Sequence, residues 1–357
     1  QRQQQQQQQQ LPLQLQQQPL RRLLQLPRQQ QLPLQLQQQP LRRLLQLPRQ
    51  QQPPPQRVGA GNKKFTNNSH KCSASSSLTS QPPVIHDDCI CESATWNQNG
   101  VTVAGWNGRG SSLNQLDEPL GLFVDEDAAV YVAGTLNFRV VKWASGASSD
   151  QVIAGGNGEG NQNNQMKYAT KIIIDKNGTI FICDHMNMRV QRWFKNDDHG
   201  QTIIENISCW GLTLDKEKLL YVSDWKKRRI TKRPSEQITA GGNGQGSALN
   251  QLFYPCDVFL DQDQSIFVAD DGNQLVVDQM GTAYVVDYGN HVVRWLKDYA
   301  SDSIIISQHG AGNGTDQLSD PTDLAFDRQG NMYVVNRANR RVQMFTIDKS
   351  SCDRSMY

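Results

Sequence analysis

The sequence predicts an all-β fold, a β-propeller of about six four-stranded blades (five or six), preceded by a disordered Gln/Pro-rich tail. Three observations support this prediction. Short β-rich runs alternate with Gly, Asn and Asp turns from Trp96 onward, similar units recur along residues 96–352, and Gln makes up 26 of the first 56 residues. Self-similarity at steps of a few tens of residues is typical of solenoids, propellers and arrays.

The first 56 residues form a low-complexity tail. The segment 11–31 is repeated letter for letter at 32–52, and Pro interrupts every Leu/Gln run. Such a composition buries too little apolar surface to offset the entropy of ordering. We therefore expect a disordered tail at 1–56, with a partner-binding tract as the alternative, and a Ser/Asn-rich linker at 57–95.

Charge divides the chain into two unlike parts. Residues 1–95 carry eleven Lys/Arg and three Asp/Glu, a net charge of +8, whereas residues 96–357 carry 25 and 31, a net charge of −6. A mildly acidic folded region counts against a protein that binds nucleic-acid phosphates, because that function needs a basic face. No apolar run reaches the length of a transmembrane helix, so we expect no transmembrane segment.

Each repeating unit begins with a strand, a turn and a second strand. An apolar run ending in Asp, such as "GLFVD", is followed by a run such as "VYVAG", and later runs such as "RVVKW" and "QVIAGG" predict a third and a fourth strand. The Asp and a later Asn position are separated by 12 residues in six units: 125/137, 175/187, 215/227, 261/273, 278/290 and 327/339. Four antiparallel strands per unit predict propeller blades.

These segments resemble a known repeat family. The runs "NQLDEPLGLFVDEDAAVYVAGTLNFRVVKW", "PTDLAFDRQGNMYVVNRANRRVQMF" and "VVDQMGTAYVVDYGNHVVRW" are similar to NHL repeats. The resemblance covers 96–352, implies a six-bladed propeller, and leaves 353–357 as a C-terminal tail. Two irregularities keep the count at five or six: the step from Asn273 to Asp278 is only five positions, and the third unit has no Gly-rich loop.

Most recurring residues are interpreted as scaffold. The Asp that ends each first strand suits a hairpin turn, where it bonds its own backbone. A calcium loop needs Gly at its sixth position, and Ile266 stands there when counting from Asp261. We expect pairs such as Asp184 and Arg189 to hold blade corners, and aromatics such as Trp143 to pack between blades.

The Gly-rich stretch "IAGGNGEGNQNNQ" at 153–165 has the composition of a phosphate-binding loop. Related stretches occur at 103–116, 239–252 and 309–318, always between predicted strands and without the Lys-Ser/Thr of a P-loop. Glycine suits tight loops because it adopts a positive φ freely. We interpret these stretches as turns that connect one unit to the next.

The leading functional hypothesis is a non-enzymatic binding or scaffold module that docks a protein, peptide or glycan. One candidate binding patch is basic and comprises Lys226, Lys227, Arg228, Arg229, Lys232 and Arg233. It also supports an alternative, an RNA-binding NHL domain, and contact with an acidic glycan. Few aromatic residues interleave with the patch, which weakens the nucleic-acid interpretation.

A metal-dependent lyase or lactonase is the third hypothesis. The propeller of the peptide-amidating lyase resembles these repeats, and that resemblance implies metal-binding histidines after a Pro near the start of inner strands. The corresponding residues here are Leu120, Cys256 and Thr322. No GxSxG or HExxH motif occurs either. We therefore predict no catalytic, cofactor-binding or metal-binding residue, and no cofactor.

Cysteines and sequons favour an extracellular or secreted protein, with a cytoplasmic one as the alternative. The ends of a closed propeller meet, so we expect a disulfide from Cys89 or Cys91 to Cys352, whereas Cys183 and Cys256 suit buried thiols. Candidate N-glycosylation sites are Asn67, Asn177, Asn206 and Asn313. Since the sequence starts without Met, we expect a processed or incomplete N-terminus, and a signal peptide stays an open question.

Overall fold

The computed structural model describes residues 90–352, apart from 92, 247, 249, 262, 271–272, 279–280, 288–291 and 298–300. Within these residues the regular structure is β-strand, except for a short 3-10 turn at His185–Asn187. The predicted all-β class and propeller arrangement are confirmed. The predicted tails 1–56 and 353–357, and the linker before Ile90, lie outside the described residues.

The strands form small antiparallel sheets in chain order. Two short strands come first, β1 (Thr95–Trp96) and β2 (Val101–Ala104). Sheet 1 consists of β3 (Pro119–Val124), β4 (Val130–Gly134), β5 (Arg139–Trp143) and β6 (Gln151–Gly155). Sheet 2 consists of β7 (Ala169–Ile174), β8 (Ile180–Asp184), β9 (Arg189–Trp193) and β10 (Gln201–Glu205). Sheet 3 consists of β11 (Cys209–Leu214), β12 (Leu220–Asp224), β13 (Arg229–Arg233) and β14 (Gln237–Gly241).

The second half of the chain is less regular. Sheet 4 has two strands in the described residues, β15 (Pro255–Leu260) and β16 (Ile266–Asp270). Sheet 5 consists of β17 (Gln274–Val277), β18 (Ala283–Asp287), β19 (Val292–Lys297) and β20 (Ser301–Ile306). Sheet 6 contains β21 (Pro321–Phe326), β22 (Met332–Asn336) and β23 (Arg341–Phe345), and a final strand β24 spans Ile347–Asp348.

The innermost strands close into a ring. Strands β3, β7, β11, β15, β17 and β21 each contact the next in this order, and β21 contacts β3. The two ends of the ring share a sheet, since β2 pairs with β23 and completes sheet 6. Strand β1 likewise pairs with β24, with Trp96 opposite Ile347. Contacts between chain ends therefore hold the ring shut.

The Asp residues at the ends of the first strands cap hairpin turns. Asp175 Oδ1 accepts hydrogen bonds from the backbone N–H of Asn177 and Thr179, both at 2.9 Å. Equivalent Oδ1 bonds are made by Asp125, Asp215, Asp261, Asp278 and Asp327. The carboxylate oxygen thus accepts hydrogen bonds from N–H groups of the hairpin turn that have no backbone acceptor.

The Gly-rich segments form the loops that lead into the innermost strands. Gly155 has a φ of +72°, and a Cβ there would lie 2.5 Å from the carbonyl oxygen of Phe138. Gln165 closes the same loop, because its Nε2 donates to Asn157 O at 3.1 Å and its Oε1 accepts from Gln162 N at 3.3 Å. These loops are structural connections, and glycine recurs in them because a Cβ would clash with neighbouring backbone.

The large recurring aromatics pack between neighbouring sheets. Trp143 of sheet 1 is buried in a cluster with Val342 of sheet 6, and Trp193 of sheet 2 is buried against Val140 of sheet 1. Phe345 is buried against Trp96. Burial of side chains of this size supplies much of the hydrophobic stabilisation of a propeller, which has no single central core.

One irregular junction lies between sheets 2 and 3. Only residues 206–208 connect β10 to β11, whereas the loop between β6 and β7 has thirteen residues. Strand β11 lies beside β8, and Cys183 and Cys209 lie at disulfide distance. The expectation that Cys183 is a buried thiol is therefore wrong, whereas Cys256 is buried outside either disulfide.

Candidate binding face

The upper edge of the ring carries a group of aromatic side chains. We use "upper edge" for the edge where β3, β7, β11, β15 and β21 begin and where β4, β8, β12 and β22 end. Six half-buried residues on sheets 2 to 4 lie along this edge and form what we call the aromatic face: Tyr168, His185, Trp210, Trp225, Phe253 and Tyr254.

The six rings form a continuous series of contacts. His185 meets Trp210 edge to face with ring centroids 4.9 Å apart, and Trp225 lies 6.2 Å from His185. Trp225 and Tyr254 stack at 4.9 Å with an interplanar angle of 18°. Such geometries are favourable for aromatic pairs beyond the burial of area. The face is consequently held in one arrangement before any ligand arrives.

The local sequence explains these positions. Tyr168 and Tyr254 stand immediately before the first residue of an innermost strand, and His185 and Trp225 stand immediately after the Asp that ends a second strand. Trp210 is the second residue of β11. In sheets 2 to 4 the described residues at these positions lie at the upper edge, so side chains from neighbouring sheets meet there.

The short junction below the face fixes His185. Its Nδ1 lies 2.9 Å from the carbonyl oxygen of Cys209, to which it donates in the neutral tautomer, and Cys209 is paired with Cys183. Burial lowers the pKa of His185 from its ordinary value, although this hydrogen bond opposes the shift. The imidazole is therefore neutral at physiological pH and behaves as a further aromatic ring.

The same positions are ionic on the other side of the ring. Arg337 follows the second strand of sheet 6, and it pairs with Glu118 and Asp320, the residues before β3 and β21. The Arg337–Asp320 distance is 2.9 Å. One arginine thus pairs with two carboxylates, so the upper edge has an ionic side on sheets 6 and 1 and an aromatic side on sheets 2 to 4.

The six basic residues predicted as a patch do not share one surface. Lys226 and Lys227 are exposed on the upper edge beside Trp225, and Arg228 lies 5.8 Å from the Tyr254 ring. Lys232 and Arg233 stand at the opposite end of β13. There Lys232 pairs with Asp215 at 2.9 Å and Arg233 with Glu236 at 2.7 Å. The charges near the aromatic face are thus those of residues 226–229.

A buried ion network occupies the axis of the ring. Lys171 Nζ lies 3.0 Å from Asp257 Oδ2, 2.9 Å from Asp323 Oδ1 and 3.1 Å from Gln274 Oε1. Lys171, Asp257 and Asp323 are each the third residue of an innermost strand, and Gly121 and Gly211 are the third residues of β3 and β11. A Cβ at Gly121 would lie 2.9 Å from Lys171 Cα, so glycine permits this close approach.

Burial determines the ionisation of the network. It raises the pKa of Asp323 to about 6 against the opposing effect of Lys171, and it raises the pKa of Asp257 as well. Burial alone would lower the pKa of Lys171, but the two carboxylates outweigh it and hold that pKa above its ordinary value. Two carboxylates share one ammonium, so the network tends to retain a proton.

The predicted ring-closing disulfide has a counterpart in the structure. Cys91 and Cys352 lie at disulfide distance, next to the paired strands β1 and β24. Cys89 lies outside the described residues, as does the candidate sequon at Asn67. The other candidate glycosylation residues are exposed in turns: Asn177, Asn206 and Asn313.

The described residues do not assemble the histidine site that a lyase would need. In that part of the chain no group of three or more His, Cys, Asp or Glu side chains is arranged to hold a metal ion. Leu120, Cys256 and Thr322 lie at the upper ends of innermost strands, where Thr322 Oγ1 donates to Leu120 O at 3.1 Å. No helix of the described residues is long and apolar enough to cross a membrane.

Comparisons with known proteins place the fold. No protein-family profile and no curated protein matches the sequence. A structural-genomics protein of unknown function from Bacteroides thetaiotaomicron is similar, with a TM-score of 0.56, 14% identity, and coverage of 72% of this chain and 77% of that one. Aldose sugar dehydrogenase from Streptomyces coelicolor in its PQQ-bound form matches with a TM-score of 0.50, 10% identity and coverage of 71% and 98%.

Virginiamycin B lyase from Staphylococcus aureus is also similar in fold, with a TM-score of 0.47, 10% identity and coverage of 71% and 99%. Since one fold supports many unrelated functions, these similarities assign no activity. The similarities at TM-scores of 0.56 and 0.50 agree with the β-propeller fold that the sheet topology shows.

Proposed function

We propose that this chain is a non-enzymatic docking module whose aromatic face binds a protein, peptide or glycan. The observation that supports the proposal is the continuous series of half-buried rings from Tyr168 to Tyr254. Trp and Tyr concentrate at interfaces because each supplies a large contact area at a small cost in conformational entropy. The rings stand on short turns of a rigid ring, which favours recognition without rearrangement.

The finer classification is part of the same proposal. The 12-residue Asp/Asn spacing and the closed cycle of innermost strands support an NHL-type propeller of six blades, in which the fourth blade keeps its two inner strands. Two cysteine pairs at disulfide distance support an oxidising, extracellular setting.

RNA is a weaker candidate ligand than a peptide or glycan. Bases stack on free aromatic faces, whereas Trp225 and Tyr254 stack on each other and Arg228 lies over Tyr254. Of the six basic residues, Lys232 and Arg233 are ion-paired at the far end of their strand. The net charge of −6 over residues 96–357 further opposes RNA, whose phosphate chain carries a charge at every nucleotide and extends beyond the local cations at 226–229.

The test is binding of the purified full chain to a random peptide library and to a glycan array. We expect ligands whose affinity falls about tenfold or more in Trp225→Ala and Trp210→Ala, as is usual for aromatic hot spots. Phe194→Ala is the matched control, because Phe194 is an exposed aromatic beyond the far end of β9. Circular dichroism checks that all three variants fold.

Two results would contradict the proposal. One is a set of ligands that bind the wild type and both tryptophan variants equally. The other is the absence of any peptide or glycan ligand together with binding of single-stranded RNA that depends on Lys226 and Lys227.

A further inference from the structure

Sheet 3 has an uncovered cluster of positive charge beside the aromatic face. In sheet 2 the recurring arginine, Arg189, is fully engaged: it donates to Asp184 Oδ2 at 2.8 Å and to the carbonyls of Asn161 and Gln165 at 2.8 and 2.9 Å. The carbonyls belong to the Gly-rich loop before β7. Arg139 of sheet 1 donates in the same way to Ser111 and Ser112.

Sheet 3 lacks this cover. Residues 206–208 stand in place of a Gly-rich loop, so the loop carbonyls that Arg139 and Arg189 bind have no counterpart for Arg229 among the described residues. Arg229 Nε and Lys227 Nζ each lie 3.8 Å from Asp224 Oδ2, which is beyond hydrogen-bond distance. This oxygen is buried and accepts no hydrogen bond from the described residues. The recurring arginine of sheet 3 is therefore not covered by a loop of this kind.

Residues 226–229 carry four cations, of which Lys227 and Arg229 pair with the buried Asp224. Lys226 and Lys227 are exposed, and Arg228 leans over Tyr254 of the aromatic face. The side chain of Lys227 is 54% exposed, whereas that of Asp224 is 1% exposed. The excess of positive charge is thus presented outward, next to Trp225.

Apolar side chains stand on the other flank. Met186 follows His185 in the turn after β8 and is 51% exposed, and Leu136 in the equivalent turn of sheet 1 is 39% exposed. Met, aromatic residues and Arg are the side chains enriched at protein interfaces. A sugar chain or an RNA has no aliphatic side chains to cover Met186 and Leu136, whereas a polypeptide does.

Resting on the docking function proposed above, we infer that the ligand is an acidic polypeptide segment, with apolar side chains on Met186 and the aromatic rings and carboxylates on Lys226, Lys227 and Arg229. Charge complementarity selects it. The chain's own residues 1–95 carry a net charge of +8, which argues against them as the occupant, and the proposed occupant is a segment of another protein.

The experiment determines the composition of peptides that the full chain selects from an unbiased random library. We expect the selected pool to be at least about twofold enriched in Asp and Glu, with affinities that fall as salt rises. In Lys226→Glu/Lys227→Glu the acidic enrichment disappears, and the affinity of the wild-type peptides falls about tenfold or more.

Lys195→Glu/Lys218→Glu is the charge-matched control. Both lysines are exposed in turns at the opposite edge of sheets 2 and 3, so this variant should keep the acidic selection. Loss of the selection in the control as well would mean that net charge alone attracts the peptides, and it would overturn the inference.

Other outcomes separate the inference from the docking function. A pool that depends on Trp225 but has no excess of Asp and Glu overturns the acidic segment and leaves the docking function standing. Binding of heparin or RNA in place of peptides, abolished by Lys226→Glu/Lys227→Glu, also overturns it. A pool indifferent to Trp225 overturns both proposals.

Discussion

The axial network offers a direct test of how this ring is stabilised. Lys171→Met replaces the ammonium with an apolar group of similar length and leaves Asp257 and Asp323 buried without their cation. Breaking a buried ion pair by removing one partner costs about 3–5 kcal/mol. For a domain of this size that corresponds to a fall in melting temperature of about 6–20 °C near pH 8.

The pH dependence distinguishes this mechanism from a packing defect. The folded-state pKa of Asp323 is raised to about 6, above its unfolded value. The native state therefore binds the proton more tightly than the unfolded state, so the group favours folding below about pH 6, and that contribution is lost as the pH rises through about 6. Without Lys171 the pKa values of both carboxyls should rise further, because the stabilising cation is gone.

Thermal unfolding at about pH 5 and about pH 8, followed by near-ultraviolet circular dichroism, measures the effect. We expect the loss in Lys171→Met to be largest at about pH 8 and less than half as large at about pH 5, where the carboxyls take up protons. An equal loss at both values would refute the electrostatic reasoning and indicate a packing defect. A loss below about 1 kcal/mol at pH 8 would refute the role of the network.

A charge-balanced variant is the control for this prediction. Adding Asp257→Asn and Asp323→Asn to Lys171→Met removes all three charges, while the amide oxygens can still accept the bonds from Leu122 N and Val258 N. Neutral replacement of a buried ion network is often tolerated. We expect the triple variant to recover at least half of the stability that Lys171→Met loses at about pH 8.

Three further predictions concern the scaffold. Cys352→Ser should lower the free energy of unfolding by about 2–5 kcal/mol, and mild reduction of the wild type should reproduce the loss; an unchanged urea midpoint would contradict the pairing of the chain ends. Gly155→Ala should lower the free energy of unfolding by at least about 2–3 kcal/mol, against about 1 kcal/mol for Gly158→Ala. Both residues have a positive φ, but only Gly155 has backbone within 4 Å of an added Cβ. Equal losses of stability in urea titrations would argue against the steric account. Asp175→Ala should cost about 1–2 kcal/mol by leaving two turn N–H groups unpaired, whereas Asp198→Ala, at an exposed site, should leave the melting temperature unchanged; similar melting curves would show that the turn does not depend on its carboxylate.

Much of the scaffold was predictable because it repeats. The 12-residue spacing from Asp125 to Asn137 recurs because the hairpins need the same turn cap. The glycines of 153–165 recur because the loops before β3, β7, β15 and β21 need a positive φ. The interpretation of the Gly-rich stretch as a connection is supported by the bonds of Gln165, which close the loop on itself. Turn caps and tight loops of this kind are visible in the sequence, because the residues that form each of them lie within one repeat.

The candidate site was not predictable in the same way. Trp210 and Trp225 lie 15 positions apart in sequence, and Tyr168 and Tyr254 lie in different units. The pairing of β11 with β12 brings the two tryptophans together, and the packing of neighbouring sheets adds the two tyrosines. The basic run 226–233 is continuous in sequence, yet its strand carries Lys232 and Arg233 to the far edge, where carboxylates pair with them.

The sequence by itself determined the all-β class, the propeller arrangement and the role of the recurrent Asp and Gly residues, because those depend on contacts within one repeat. The tertiary structure decided which side chains lie together at the axis and on the upper edge of the ring. The pairing of Cys183 with Cys209, the axial contact of Lys171 with Asp257 and Asp323, and the aromatic face all join residues from different sheets. Closure of the ring sets those distances, and no segment of the sequence contains them.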